Sequence, residues 1–268
     1  MHRDIFSLEG KTALITGGSR GLGREMALAF AARGADVAIA SRKLDACEAV
    51  AKEIEALGRR AYARACHIGK WSELDGLVDD VYARFGKLDI LINNAGLSPL
   101  YPALDQVSEE LFDKVVGLNL KGPFRLTALV GKRMAEGDGG SIINISSTAS
   151  VTPSPQAEPY GAAKAGLNAL TRSFAYAYGP KVRVNAIICG PFLTDISKAW
   201  DMEAFDRRAK LQIPLRRAGE PGEVVGAALY LASDAGSYTT ASMLTVDGGA
   251  SGNARLLTRE DCPVIATR

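Results

Sequence analysis

The chain has 268 residues, 47% of them hydrophobic and 23% charged, and its 32 Lys+Arg against 30 Asp+Glu leave a formal net charge of +2. That profile excludes a disordered, collagen-like or coiled-coil chain, and so even a charge balance excludes a field that would gather nucleic acid or an anionic membrane. No apolar run nears the roughly 18 residues of a membrane span, and His2, Arg3, Asp4 and Glu9 break the first ten residues, so no leader is expected and the expected location is cytoplasmic.

In chain order, residues 11–16 (KTALIT) predict a buried strand, and GGSRGLG at 17–23 a glycine turn that opens a helix running through Arg33. A second strand is expected over 36–40, a helix over 42–57 stopped by Gly58, and a short strand over 61–65. A helix over 73–85 closed by Gly86 and an apolar strand over 88–93 follow. Ser108 opens a long helical region that Gly139 and Gly140 end; 141–147 (SIINISS) is the next strand. Residues 160–178 read as helix, 181–188 as strand, 222–231 as helix and 243–246 as a last short strand. Strands alternating with helices of this length predict one α/β domain, a doubly wound parallel sheet with helices on both faces, over residues 1–249. Residues 194–221 fall outside the alternation and are long enough to form a lid; 250–268 are left as a tail of unassigned role. The widely spaced Cys47, Cys66, Cys189 and Cys262 form no CxxC pair and have only two histidines beside them, so free thiols are expected, without disulfides or a metal site.

The glycine turn, Gly17-Gly18-Ser19-Arg20-Gly21-Leu22-Gly23, sits directly between a strand and a helix. Glycine there lets backbone N–H groups and the positive helix end approach a pyrophosphate, which a Cβ would hold off. About 20 residues on, an acidic residue would grip the ribose of NAD. The chain instead reads Ser41-Arg42-Lys43 and carries Arg20 in the turn itself, so three cations can converge where the 2′-phosphate of NADP would lie. NADP(H) is therefore preferred, with NAD(H) the alternative; Asp36 stands at the wrong end of its strand to serve NAD.

Tyr160 and Lys164 stand one helical turn apart on one face. An ammonium about 4–5 Å from a phenolate, at an effective dielectric near 20, stabilises it by roughly 3–4 kcal/mol and should bring the tyrosine down by two to three pKa units. That makes it a general acid/base usable near neutral pH.

TGGSRGLG (16–23), NNAG (93–96), GLNLKGPF (117–124), NISS (144–147) and YGAAK (160–164) occur in the order and spacing of the classical short-chain dehydrogenases/reductases, which the chain resembles from about Leu8 to Gly249. The resemblance implies a Rossmann fold and oxidoreductase activity on a carbonyl/secondary-alcohol pair. It implies that Tyr160 donates and accepts the proton, and that Lys164 tunes it while holding the nicotinamide ribose. Ser147, chosen over Ser146 on spacing, would hold the substrate oxygen, and the backbone of Asn119 would support a water on a proton path. Asn93, Asn94, Ala95 and Gly96 would close beneath the adenosine ribose. It further implies a homotetramer, with a homodimer as fallback. The chain departs from the pattern twice. His67, followed by Ile68, stands where an aspartate usually meets adenine, so adenine would rely on the Ile68 backbone and a neutral imidazole acceptor. Cys189-Gly190 replaces Pro-Gly before the nicotinamide clamp, where Phe192 follows and Thr194 is placed for the carboxamide.

Leu97, Leu100, Tyr101, residues 148–155, Phe192, Trp200, Met202 and Phe205 are the expected pocket walls. Being mostly apolar, they favour a small 3-oxoacyl-type, alicyclic or aromatic ketone, although Arg207, Arg208 and Lys210 could meet an acidic group. The rival reading is a catalytically silent nucleotide-binding scaffold; the complete set Asn119, Ser147, Tyr160 and Lys164 argues for the enzyme.

Overall fold

The computed structural model describes residues 4–195, 197 and 201–252. Seven strands form one parallel sheet in the order β3-β2-β1-β4-β5-β6-β7: β1 (Thr12–Thr16), β2 (Asp36–Ser41), β3 (Ala61–Ala65), β4 (Ile90–Asn93), β5 (Gly140–Ser147), β6 (Val182–Cys189) and β7 (Met243–Val246). The helices are α1 (Gly21–Ala32), α2 (Leu44–Ala56), α3 (Trp71–Phe85), α4 (Glu109–Val116), α5 (Gly122–Glu136), α6 (Glu158–Tyr178), α7 (Met202–Gln212) and α8 (Val225–Ala232).

The two-residue period of the strands builds a core on each face. Ala13, Ile15, Ile39, Ile90, Ile92 and Ile143 pack with Met26 and Phe30 of α1, Ile54 of α2 and Leu231 of α8. The alternate residues Leu14, Ala38, Leu91 and Ile142 meet Leu77 and Val81 of α3 and Leu126 and Val130 of α5. From β1 the chain winds through β2 and β3 to one edge and from β4 through β7 to the other, so the order reverses between β1 and β4, and the carboxyl ends of the strands at such a reversal are where open α/β sheets place their ligands.

The predicted strands agree with the observed ones to within two residues. Two segments differ more. The helical region after Ser108 is interrupted by a π turn, Gly117–Lys121, between α4 and α5. Residues 194–221, read as a lid outside the alternation, contain α7, whose first turn is capped by Asp201 Oδ1 accepting from the Ala204 amide at 3.0 Å. Trp200, Cys262 and the tail beyond Gly252 lie outside the described residues; Cys47, Cys66 and Cys189 are buried free thiols.

Candidate active site

The ends of β1 and β4 are sewn together by one hydroxyl. Thr16 Oγ1 donates to the Ile92 carbonyl at 3.2 Å and accepts from the amides of Asn94 and Ala95 at 3.0 and 3.1 Å. Asn94 returns the tie, its Nδ2 donating to the carbonyls of Thr16 and Gly17 at 2.9 and 3.2 Å. Gly17, with φ 65°, occupies the left-handed region, and a Cβ on Gly23 would lie 2.4 Å from the Gly17 oxygen, so the turn closes only as glycine. Helix α1 has no side-chain cap at Arg20, and the amides of residues 19–22 find no acceptor among the described residues. A cradle that side chains would fill, lined by free N–H groups at a positive helix end, suits a dinucleotide pyrophosphate. Leu22 packs into the core, and a Cβ on Gly21 would touch the Thr194 side chain at 3.5 Å, which brings the segment after β6 over the turn.

Ser41 ends β2, and Arg42 and Lys43 beside it are exposed. Arg20 is exposed too, with Nη1 3.8 Å from Asp195 Oδ2, so this cation is shared with the segment after β6. Asp36 lies at the far end of β2, 2.7 Å from Arg60 Nε.

His67 calls for a correction. Its Nδ1 accepts the Gly69 amide at 3.2 Å and its own amide donates to Glu73 Oε2 at 2.7 Å, so the acceptor nitrogen expected for adenine is spent on the local turn. Ile68 is buried, its carbonyl packed where a Cβ on Gly122 would meet it at 2.2 Å.

Gly96 lies between two of the expected residues: a Cβ there would be 2.8 Å from Asn119 Oδ1 and 3.6 Å from Lys164 Nζ. Asn119 sits in the π turn, fully buried, and donates from Nδ2 to the carbonyls of Leu97 and Val115 at 2.8 and 2.9 Å. Its side chain thus fixes the loop after β4.

Ser147 ends β5 opposite Cys189 of β6. Ser146 is buried, its hydroxyl donating to Ser150 Oγ at 3.2 Å; Ser147 is half-buried and faces Tyr160. Lys164, 2% exposed, donates from Nζ to the Ile145 carbonyl at 2.7 Å and lies over the Tyr160 ring, 5.7 Å from its centroid. Burial pushes the Tyr160 phenol up to about 12; the hydrogen bond with Ser147 draws it down and the neighbouring Cys189 raises it further. Burial also brings Lys164 down to about 8, against the influence of Cys189, and sends the Cys189 thiol up to about 12. The expected lowering of the tyrosine by the ammonium is therefore absent from this arrangement. The lysine is committed to the Ile145 carbonyl, no hydrogen bond joins it to the phenol, and withdrawal of the phenol from water dominates.

The polar strand residues add a network that sequence reasoning passed over. Asn93 Nδ2 donates to Thr127 Oγ1 at 3.0 Å and Asn144 Oδ1 at 2.8 Å, and Asn144 Nδ2 donates to Thr171 Oγ1 at 2.9 Å. Asn168 Nδ2 donates to Ser150 Oγ at 2.8 Å. The available signal was asparagine and serine alternating inside the otherwise apolar SIINISS.

Two expected pocket walls are packing residues. Phe192 belongs to the core beneath α1 and α8, its ring against Gly219, and Phe205 forms a small cluster with Ala209, Ile213 and Ala218. Phe192 thus anchors the chain just before the segment, and Phe205 packs the segment on itself, with Leu193 and Ala250 against the cluster. Gly190 is required by close approach, since a Cβ would meet Asp247 Cα at 2.6 Å. No group of three or more His, Cys, Asp or Glu suited to a metal occurs among the described residues, and none of their helices is long and apolar enough to cross a membrane.

A family model described as enoyl-(acyl carrier protein) reductase matches residues 17–251. An oxidoreductase of Mycobacterium tuberculosis, itself uncharacterized, is 43% identical over 250 residues, covering 92% of this chain and 94% of its own. The 7alpha-hydroxysteroid dehydrogenase of Escherichia coli is 36% identical over 92% of this chain and 96% of its own. Among solved structures, a 7alpha-hydroxysteroid dehydrogenase complexed with NADH and 7-oxo glycochenodeoxycholic acid superposes with a TM-score of 0.88 at 36% identity, over 93% of this chain and 98% of that one. A chain from Beutenbergia cavernae assigned as an NAD(P)-dependent gluconate 5-dehydrogenase, with bound NADP, gives a TM-score of 0.88 at 33% identity, over 93% and 100%. With its sheet order, glycine turn and Ser-Tyr-Lys cluster in place, this chain belongs to the classical short-chain dehydrogenase/reductase family and is an oxidoreductase of CH–OH/C=O pairs.

Proposed function

We propose that the protein is an NADP(H)-dependent carbonyl reductase/alcohol dehydrogenase in which Tyr160 is the acid/base. The observation that carries this reading is a buried lysine, without a carboxylate partner among the described residues, set against a tyrosine and serine beside a glycine turn suited to a phosphate. Gly17, Ser19, Gly21, Leu22 and Gly23 would hold the pyrophosphate, and Asn94, Ala95, Gly96 and Lys164 the riboses. Gly190, Thr194 and the backbone at Phe192 would flank the nicotinamide, and Ile68 offers its backbone to adenine. Bound in this cleft, the dinucleotide supplies or takes up the hydride. The Ser147 hydroxyl holds the substrate oxygen while Tyr160, protonated across the physiological range, gives its proton to that oxygen as negative charge develops there. Lys164 and the Asn119 backbone then pass a proton back to Tyr160.

Preference for NADP(H) rests on Arg42, Lys43 and Arg20 at the end of β2 and the lack of an acidic residue there. One observation favours the NAD(H) alternative: a relative at 36% identity is complexed with NADH. Leu97, the exposed Leu100 and Met202, and residues 148–155 support a small, largely apolar ketone as substrate. Exposed Phe112 and Phe124 on α4 and α5 support assembly as a homotetramer or homodimer.

Coenzyme consumption at 340 nm against a panel of ketones and secondary alcohols, with dissociation constants for both coenzymes, tests the reading. Turnover of an apolar ketone and tighter NADPH are expected. Binding without any turnover would make the protein a scaffold, and tighter NADH would remove the roles given to Arg42 and Arg20.

A further inference from the structure

The helix that carries Tyr160 begins without a cap of its own. Ala157 at the N-cap position has no side chain able to accept a hydrogen bond, so the amides of the first turn, in which Tyr160 lies, need acceptors from elsewhere. One comes from a distant loop. Tyr101, buried although it lies in the segment after β4, places its hydroxyl on the start of α6, where it accepts the Glu158 amide at 3.1 Å and donates to the Glu158 carboxylate. The carboxylate is gathered in from the other side. Gln156 stands at φ 66°, a left-handed conformation costly for a side chain of this kind, in a turn closed by the Ala157 amide donating to the Ser154 carbonyl at 3.1 Å, and the backbone of this turn lowers the Glu158 carboxyl. Together with the Tyr101 hydroxyl, the largest influence, that backbone holds Glu158 below the ordinary carboxylate range.

One phenol thus ties the loop that follows NNAG, through its contacts with Glu158, to the strained turn closing residues 151–157 and the first turn of α6. The Asn119 side chain anchors the near end of that loop at Leu97, and Ser147 precedes the strained turn. The tie lies two residues before Tyr160 and six before Lys164, whose own anchor on Ile145 belongs to the sheet. We propose that Tyr101 is a positioning residue, a helix cap supplied from another loop that holds Tyr160 and the two substrate-side loops in register without touching the coenzyme.

This inference rests on the acid/base reading of Tyr160. Its test is Tyr101→Phe, which keeps the buried ring and removes only the hydroxyl, with Glu158→Gln as the conservative control, because an amide can still accept from Tyr101. Single-turnover hydride transfer, KM for the ketone, the NADPH dissociation constant and Tm are measured for both variants and for Tyr160→Phe. Loss of a cap supports an expected drop of about tenfold in hydride transfer for Tyr101→Phe, with a raised KM and NADPH affinity within about twofold of the parent. Glu158→Gln should recover most of that rate. Hydride transfer unchanged in Tyr101→Phe, or a loss matched by equal loss of NADPH affinity, overturns the proposal. Activity retained in Tyr160→Phe overturns instead the acid/base reading beneath it.

Discussion

The two ends of the sheet treat buried charge in opposite ways. At the amino ends of the strands, Asp89 accepts the Thr12 amide at 2.8 Å and lies 3.0 Å from Lys87 and 3.7 Å from Lys11, and Asp36 is held by Arg60. Charge there is met by opposite charge, and the arrangement closes the sheet. At the carboxyl ends, Lys164 is taken out of water with the Ile145 carbonyl as its hydrogen-bond partner and no carboxylate beside it among the described residues, and Tyr160 is desolvated next to it. An isolated buried cation costs stability that a fold has no structural reason to spend, so the contrast separates the end that folds the protein from the end that does chemistry.

The sharpest way to break the contrast is to remove the cation. Lys164→Met should lose more than about three orders of magnitude in turnover and weaken coenzyme binding, yet gain stability. The folded pKa of about 8 lies below the ordinary 10.5, so the unfolded chain binds the extra proton between those values and the parent protein gains stability as pH rises through that window. Below pH 8 the variant should therefore be the more stable by on the order of 3 kcal/mol, an advantage that fades by pH 10.5; denaturant unfolding at pH 7 and pH 10 reads it. At the other end, Asp89→Ala should cost about 2 kcal/mol, since it leaves a buried amide and two lysines unpaired, while kcat stays within twofold of the parent. Equal loss of activity there would erase the distinction between the ends.

Smaller effects sharpen the map of the coenzyme cleft. Arg42→Ala should weaken NADPH about tenfold, the worth of one charge-assisted contact, and leave NADH nearly untouched, as fluorescence titration of both coenzymes would reveal. His67→Ala should cost about 0.5–1 kcal/mol through its turn and alter NADPH affinity less than twofold; a larger loss of affinity would restore the histidine to adenine.

Much of this was legible in the sequence because period and spacing carry it. Apolar runs placed every strand of the sheet to within two residues, and the fixed four-residue step placed Tyr160 and Lys164 on one side of α6. What escaped depends on partners distant in the chain or on choices that composition does not encode. A π turn at Asn119 leaves no periodic mark in five residues. An aromatic residue in a loop segment reads the same whether it lines a pocket or plugs a core, as Phe192 and Phe205 do. The Tyr101–Glu158 tie joins residues 57 apart. A lysine near a phenol looks like a Coulombic partner until burial is known, and burial reverses the direction of the tyrosine's shift.

The most direct test of the reading as a whole is Tyr160→Phe, assayed for NADPH oxidation with the best ketone and, separately, for NADPH binding. Turnover lost by at least about three orders of magnitude with binding unaltered within twofold is the predicted result; a variant that still reduces the ketone at the parent rate would contradict it.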